Sequence, residues 1–122
     1  LGANLCQCSP DQHDRAVAWI SHLPVMVSSS LILACQGETD PAILTLAQTL
    51  ASSGFQDTSR VGGGVPDLGT LMARHNRAAV LDALTQYQYQ LERLKTLIAA
   101  EDWDAVHNTL IRSQTARPAY LA

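Results

Sequence analysis

The chain has 122 residues, of which 47% are hydrophobic, 16% charged and 5% aromatic, and its formal net charge is -3 at pH 7. This length suits one domain with a real core, and an acidic chain without a Lys/Arg run lacks the basic surface that tracks nucleic-acid phosphates. The three cysteines show neither a CxxC nor a Cys/His ligand spacing, so we interpret them as free thiols in a reducing cytoplasm rather than as a zinc site.

The first eight residues alternate weakly and predict at most one short strand, with nothing in the chain to pair with it. The chain has no initiator methionine and no signal-peptide pattern, and it begins in mid-pattern. We therefore expect a fragment of a longer protein. Residues 1–9 would end a preceding domain or form a linker, and residues 10–122 would form a helical domain.

A long apolar helix is predicted from Pro10 to Cys35, with Ser9 as its N-cap and Gly37 as its stop. His22 and Pro24 lie at its centre, where proline removes a backbone donor and should bend or open the helix near Ile20. The length also suits a membrane span. The polar residues in this stretch favour a buried, kinked helix instead: Ser21, His22, Pro24, Ser28, Ser29 and Ser30.

Asp40-Pro41 predicts the start of a second helix, which we expect to run from Pro41 to Ser53 and to end at Gly54. Residues 54–66, GFQDTSRVGGGVP, form the longest irregular stretch of the chain. Loops of that length are usually functional or disordered. A short helix is then predicted from Pro66 to about His75.

Asn76 is a suitable N-cap for the longest helix, predicted over residues 77–100. Apolar residues recur along it in steps of four and three: Val80, Leu84, Tyr87, Leu91, Leu94 and Ile98. This seam favours core packing and a helical homodimer interface about equally. A final helix, capped by Asp102 or nearby, should end before Pro118. The pattern as a whole predicts an all-α domain of five helices.

The glycine run Gly62-Gly63-Gly64 matches neither GxGxxG nor GxxxxGK[ST], so a nucleotide phosphate cradle is not indicated. Two interpretations remain for these glycines. They let the backbone come close to a ligand or another chain, or they form a plain flexible loop.

Arg60 precedes those glycines, and its guanidinium is a natural fork for a carboxylate, with Asp57 placed to orient it. Together with the histidine at the helix kink, His22, this arginine suggests a pocket for a small anionic molecule. No Ser/His/Asp, Cys/His or HExxH arrangement is visible, so hydrolase and metalloenzyme functions have no support.

Three stretches in this order carry a family likeness: HDRAVAWISHLP, GFQDTSRVGGGVP and HNRAAVLDALTQYQYQLERLKTLI. The chain resembles the C-terminal helical domain of prephenate/arogenate dehydrogenases, the oxidoreductases of tyrosine biosynthesis, an aromatic amino acid pathway. The leading LGANLCQCSP resembles the last strand of that family's nucleotide domain.

The resemblance implies a cytoplasmic homodimer in which an N-terminal Rossmann domain, absent from this chain, binds NADP or NAD. It implies that the reaction's base also lies in that domain, so no catalytic residue is expected here. The family's carboxylate-binding arginine falls on Arg60 and the histidine of its SHLP motif on His22, with Ser21 beside it. Asp57, Gly62 and Gly63 are the expected supporting residues, and no membrane, nucleic-acid or metal partner is expected.

The sequence also departs from the family pattern, since Val25 stands where many members have a second histidine after SHLP. Such changes are compatible with a preference for arogenate over prephenate. The alternative hypothesis is a non-catalytic helical module that dimerises or interacts through the seam.

Overall fold

The computed structural model describes residues 5–121, and in that range the regular structure is entirely helical. The all-α fold predicted from the sequence is confirmed. The helices are α1 Pro10–Val17, α2 Leu23–Gln36, α3 Pro41–Leu50, α4 Ser53–Ser59, α5 Pro66–His75, α6 Arg77–Ala99 and α7 Trp103–Ala116. The predicted strand lies in residues 1–8, of which the first four are outside the described residues, and residues 5–9 form neither helix nor strand.

Helices α1 and α2 are joined without a break by a π-helical turn, Ala18–His22. In this turn the Leu23 N–H bonds to the carbonyl of Ala18, five residues back. Pro24 has no N–H to give to the carbonyl four residues earlier, so a wider turn is the local solution. The sequence therefore placed the disturbance correctly, but it takes the form of a π-turn. The predicted N-cap is confirmed, since the Ser9 hydroxyl accepts from the Gln12 N–H at 3.1 Å.

The predicted loop over residues 54–66 is wrong in its first half, because α4 occupies Ser53–Ser59 and a 3-10 turn follows at Val61–Gly63. Helix α3 ends at Leu50, three residues earlier than predicted. Gly54 lies in the first turn of α4, and its carbonyl accepts from the Thr58 hydroxyl at 2.8 Å. Counting Pro10–Gln36 as one helix, residues 5–121 contain six α-helices rather than five.

The later helices follow the predicted pattern closely. Helix α5 has the predicted bounds, and α6 ends one residue earlier than expected. The Asp102 carboxylate caps α7 by accepting from the Ala105 N–H at 3.1 Å. The hydrogen bonds of the Asn76 side chain go elsewhere, to α1 and to the π-turn, instead of capping α6.

The chain divides into two compact units, residues 1–84 and residues 85–122. The four buried residues of the described range all lie in the first unit: Ala18, Ser28, Val80 and Ala83. None of the described residues of the second unit is buried, and the seam side chains Leu91 and Ile98 are 55% and 50% exposed. An unpaired amphipathic face of this kind needs a partner to bury it.

The first helix was predicted to be buried, and this is wrong for the single chain. Its apolar side chains Trp19, Ile20 and Leu33 are all exposed. The 27-residue rod Pro10–Gln36 is long and apolar enough to cross a membrane by length and composition alone, a test that the core helix of a soluble protein also passes.

Candidate functional site

A buried serine holds the glycine run against α2. The Ser28 side chain is 2% exposed, and its hydroxyl accepts from the Gly62 N–H at 2.8 Å. The two residues are 34 positions apart in the sequence. A Cβ on Gly62 would lie 2.5 Å from both the Ser28 carbonyl carbon and the Ser29 nitrogen, so only glycine fits there.

This contact bears on one of the two interpretations of the glycines. Gly62 is held against a helix of its own chain, so it is not in a free loop, while the approach of the run to a ligand or another chain stays a prediction. The next two N–H groups are also engaged, since Gly63 donates to the carbonyl of Arg60 and Gly64 to that of Val61, both at 3.3 Å. With all three donors used inside the chain, the run does not form a phosphate cradle.

Arg60 lies between α4 and the 3-10 turn, with its side chain exposed. In residues 5–121 it forms no ion pair with Asp57, so the orienting contact expected from the sequence is not seen in this chain. Its backbone position is nevertheless tied to α2, because Gly62, two residues later, bonds to Ser28. The roles of Arg60 and Asp57 toward a ligand stay predictions.

Ser21 and His22 line an open groove of about 370 Å³ between the first helix and α5. Both are half-buried. The other lining residues come from α1, from α5 and from the residue that follows α5: His13, Asp14, Val17, Leu68, Leu71, Met72, His75 and Asn76. The π-turn thus places the sequence-predicted histidine and serine together at one concave surface.

Asn76 links the groove's two walls. Its amide nitrogen lies 2.7 Å from the Asp14 carbonyl oxygen of α1 and 3.2 Å from Nδ1 of His22. The other ring nitrogen of His22, Nε2, has no hydrogen-bond partner within residues 5–121. One nitrogen of the ring is therefore held by the protein, while the other remains available to a ligand.

A second open cavity, of about 410 Å³, lies on another side of α5 against α2 and the glycine run. Helix α5 lines both cavities, with Leu71 and Met72 in the first and Gly69 and Thr70 in the second. Arg60 lines neither cavity. The described chain therefore brings Ser21 and His22 together but does not place Arg60 beside them.

Sequence reasoning missed the partners that hold these elements, Ser28 and Asn76. Ser28 stands in a run of three serines with nothing to distinguish it, and Asn76 had a sufficient local explanation as an N-cap. The proline at position 24 was the one local signal for the π-turn. No group of three or more metal-ligating side chains occurs in the described part of the chain.

The structure is thus an all-α domain with exposed apolar helix faces, and its kinked first helix lines a groove with Ser21 and His22. Residues 9–112 match the family described as prephenate dehydrogenase, dimerization domain, and the chain belongs to that family. The resemblance inferred from the three sequence stretches is confirmed.

Known proteins agree with this assignment. The chain is 30% identical over 117 residues to cyclohexadienyl dehydrogenase of Zymomonas mobilis, covering 96% of the chain and 40% of that protein. Among solved structures, arogenate dehydrogenase from Synechocystis is 55% identical, with a TM-score of 0.95, and the match covers 98% of this chain and 43% of that one.

A more distant structure shares the fold. Prephenate dehydrogenase from A. aeolicus, solved with hydroxyphenyl propionate and NAD+, has a TM-score of 0.81 at 24% identity, over 93% of this chain and 39% of that one. The chain spans 40% of the length of the Zymomonas mobilis protein and 26% of that of prephenate dehydrogenase of Bacillus subtilis, to which it is also similar.

Proposed function

We propose that this chain is the C-terminal substrate-facing and dimerising part of a cytoplasmic NAD(P)-dependent arogenate or prephenate dehydrogenase. The observation that carries the proposal is the family match over residues 9–112, joined to an open groove lined by His22 and Ser21. The 55% identity to an arogenate dehydrogenase favours arogenate as the substrate.

The reaction is an oxidative decarboxylation. Hydride leaves the ring carbon that bears the hydroxyl, the ring carboxylate departs as carbon dioxide, and the ring becomes aromatic. Such chemistry needs a base at the hydroxyl and fixed donors or cations for two carboxylates. We assign the second task to this chain, with Arg60 as the cation and His22 and Ser21 as hydrogen-bonding groups.

The nicotinamide cofactor would accept the hydride, and we assign its binding to a nucleotide domain outside this chain. The glycine N–H groups of residues 62–64 are occupied by Ser28 and by backbone carbonyls, so they do not suit a pyrophosphate. The same donors suit a structural task, which is to hold the segment that carries Arg60 against α2.

The activity is tested with the full-length protein that contains this chain. Purified protein should reduce NADP+ or NAD+ in the presence of arogenate or prephenate, with release of carbon dioxide. The four combinations of cofactor and substrate, followed by absorbance of the reduced nucleotide, also settle both preferences. If none gives turnover while the protein is folded and dimeric, the non-catalytic interaction module becomes the better explanation.

Dimerisation is assigned to the part of the α6 seam that is exposed in the single chain, which includes Leu91 and Ile98. Leu91→Arg should raise the dimer dissociation constant of the full-length protein by at least about tenfold, because each leucine withdrawn from water contributes about 1.5–3 kcal/mol. Sedimentation equilibrium at micromolar concentration measures the change. Thr96→Arg adds the same side chain on the opposite side of α6 and serves as the matched control. A wild-type monomer, or equal effects of the two variants, would count against the seam.

A further inference from the structure

We infer that Asn76 is a positioning residue that holds the neutral ring of His22 in its Nε2–H tautomer, so that His22 acts as a hydrogen-bond donor to the ligand and not as a base. The inference rests on the proposed function only for the identity of that ligand. The tautomer itself follows from contacts inside this chain.

The orientation of the Asn76 amide is determined by its first partner. A backbone carbonyl oxygen can only accept, so the Asn76 atom that lies 2.7 Å from the Asp14 carbonyl oxygen must be the NH2 group. The Asp14 carbonyl also accepts from the Ala18 N–H at the end of α1, which anchors it in the helix. An amide flip would place two acceptors against each other and is excluded.

The same NH2 group then faces His22. Its nitrogen lies 3.2 Å from Nδ1 of the ring, and the second N–H can only donate. Nδ1 must therefore offer its lone pair, which leaves the single ring proton of the neutral imidazole on Nε2. A ring with a proton on Nδ1 would set two N–H groups against each other, so the contact disfavours that tautomer.

The consequence is chemical. A neutral histidine with Nε2–H directed to a ligand can donate to a carboxylate or a carbonyl oxygen, but it cannot accept a proton at that nitrogen. In the proposed reaction this makes His22 a recognition group for an anionic oxygen of the substrate. The other titratable groups on the groove, His13, Asp14 and His75, make no hydrogen bond to the His22 ring.

The direct test is nitrogen NMR on full-length protein labelled with 15N-histidine, with His22 assigned from the spectrum of His22→Gln. We expect Nδ1 of His22 to resonate as an unprotonated nitrogen and Nε2 as a protonated one. A protonated Nδ1 in the wild-type protein would overturn the inference. This readout needs no turnover, so it stands apart from success or failure of the proposed function.

Asn76→Leu removes the donor at similar volume and should let the two ring nitrogens of His22 average between tautomers. If the variant does not fold, the milder Asn76→Ala replaces it. His107→Gln, on the exposed surface of α7, is the control for labelling and for general effects. An unchanged His22 spectrum in a folded Asn76 variant would show that the ring is set by something else.

Substrate KM provides a second measurement. A purely structural role of Asn76 would not produce the pattern of KM values expected below. Glutamine can place an amide N–H near the position of Nε2, whereas asparagine can mimic only Nδ1. His22→Gln should therefore keep substrate KM within about threefold, while His22→Asn and Asn76→Leu each raise it about tenfold. In the His22→Gln background, Asn76→Leu should have little further effect on KM. Equal losses in the two His22 variants, or additive losses in the double variant, would contradict the positioning role.

Discussion

Gly62→Ala should destabilise the full-length protein by about 2–4 kcal/mol, the largest stability loss we expect from one methyl group in this chain. The added Cβ would lie 2.5 Å from two backbone atoms of α2, which cannot rotate away as a side chain would. Overpacking of this kind costs about 1–3 kcal/mol, and loss of the bond from the Gly62 N–H to Ser28 adds about 0.5–1.5 kcal/mol. Thermal and urea unfolding of the two proteins measure the difference.

The neighbouring glycine provides the control. A Cβ on Gly63 meets no atom within 4 Å, so Gly63→Ala should change stability by no more than about 0.5 kcal/mol. Ser28→Ala approaches the same contact from the other side, because it leaves the Gly62 N–H without its acceptor at a cost of about 1–3 kcal/mol. If Gly62→Ala proves as mild as Gly63→Ala, the close approach to α2 does not hold in solution.

Arg60→Ala should raise the substrate KM of the full-length enzyme by about 10- to 150-fold, which corresponds to the loss of about 1.5–3 kcal/mol from a charge-assisted hydrogen bond. Arg60→Lys should recover only part of this loss, because an ammonium cannot make the bidentate fork of a guanidinium. Stability should barely change, since the side chain is exposed and makes no ion pair within residues 5–121. Steady-state kinetics with arogenate and prephenate measure the effect.

Arg74→Ala is the matched control for this experiment. Arg74 is also exposed, lies in the last turn of α5 in the same unit, and lines neither cavity. Its removal should leave KM unchanged. An Arg60→Ala enzyme with wild-type KM for both substrates would remove Arg60 from the substrate site. A fall in kcat alone would assign it a different role.

Local chemistry made the helices predictable from the sequence. Ser9 and Asp40 cap helices whose first residue is proline, and both capping bonds are present at about the expected length. Apolar spacing predicted α6 to within one residue. The position of Ser21 and His22 at a disturbed point of the first helix was also predictable, because Pro24 cannot continue the normal hydrogen-bond pattern.

Contacts between residues far apart in sequence were not predictable in the same way. The short helix α4 contains serine, glycine and aspartate, whose weak helix propensity made residues 53–59 read as loop. The bond from Gly62 to Ser28 spans 34 positions, and that from Asn76 to Asp14 spans 62. The residues around each partner carry no sequence pattern that indicates these bonds, so the contacts that hold the groove and the glycine run could be identified only from the structure.

The exposure of the described residues of the second unit, 85–121, bears on how the stability of this protein depends on its concentration. None of the described residues of this unit is fully buried within the chain, so in the proposed dimer part of the free energy that holds them comes from association. Their order then follows mass action, and the melting temperature should rise with protein concentration. In a cell, the folded fraction of this protein would therefore rise with its concentration.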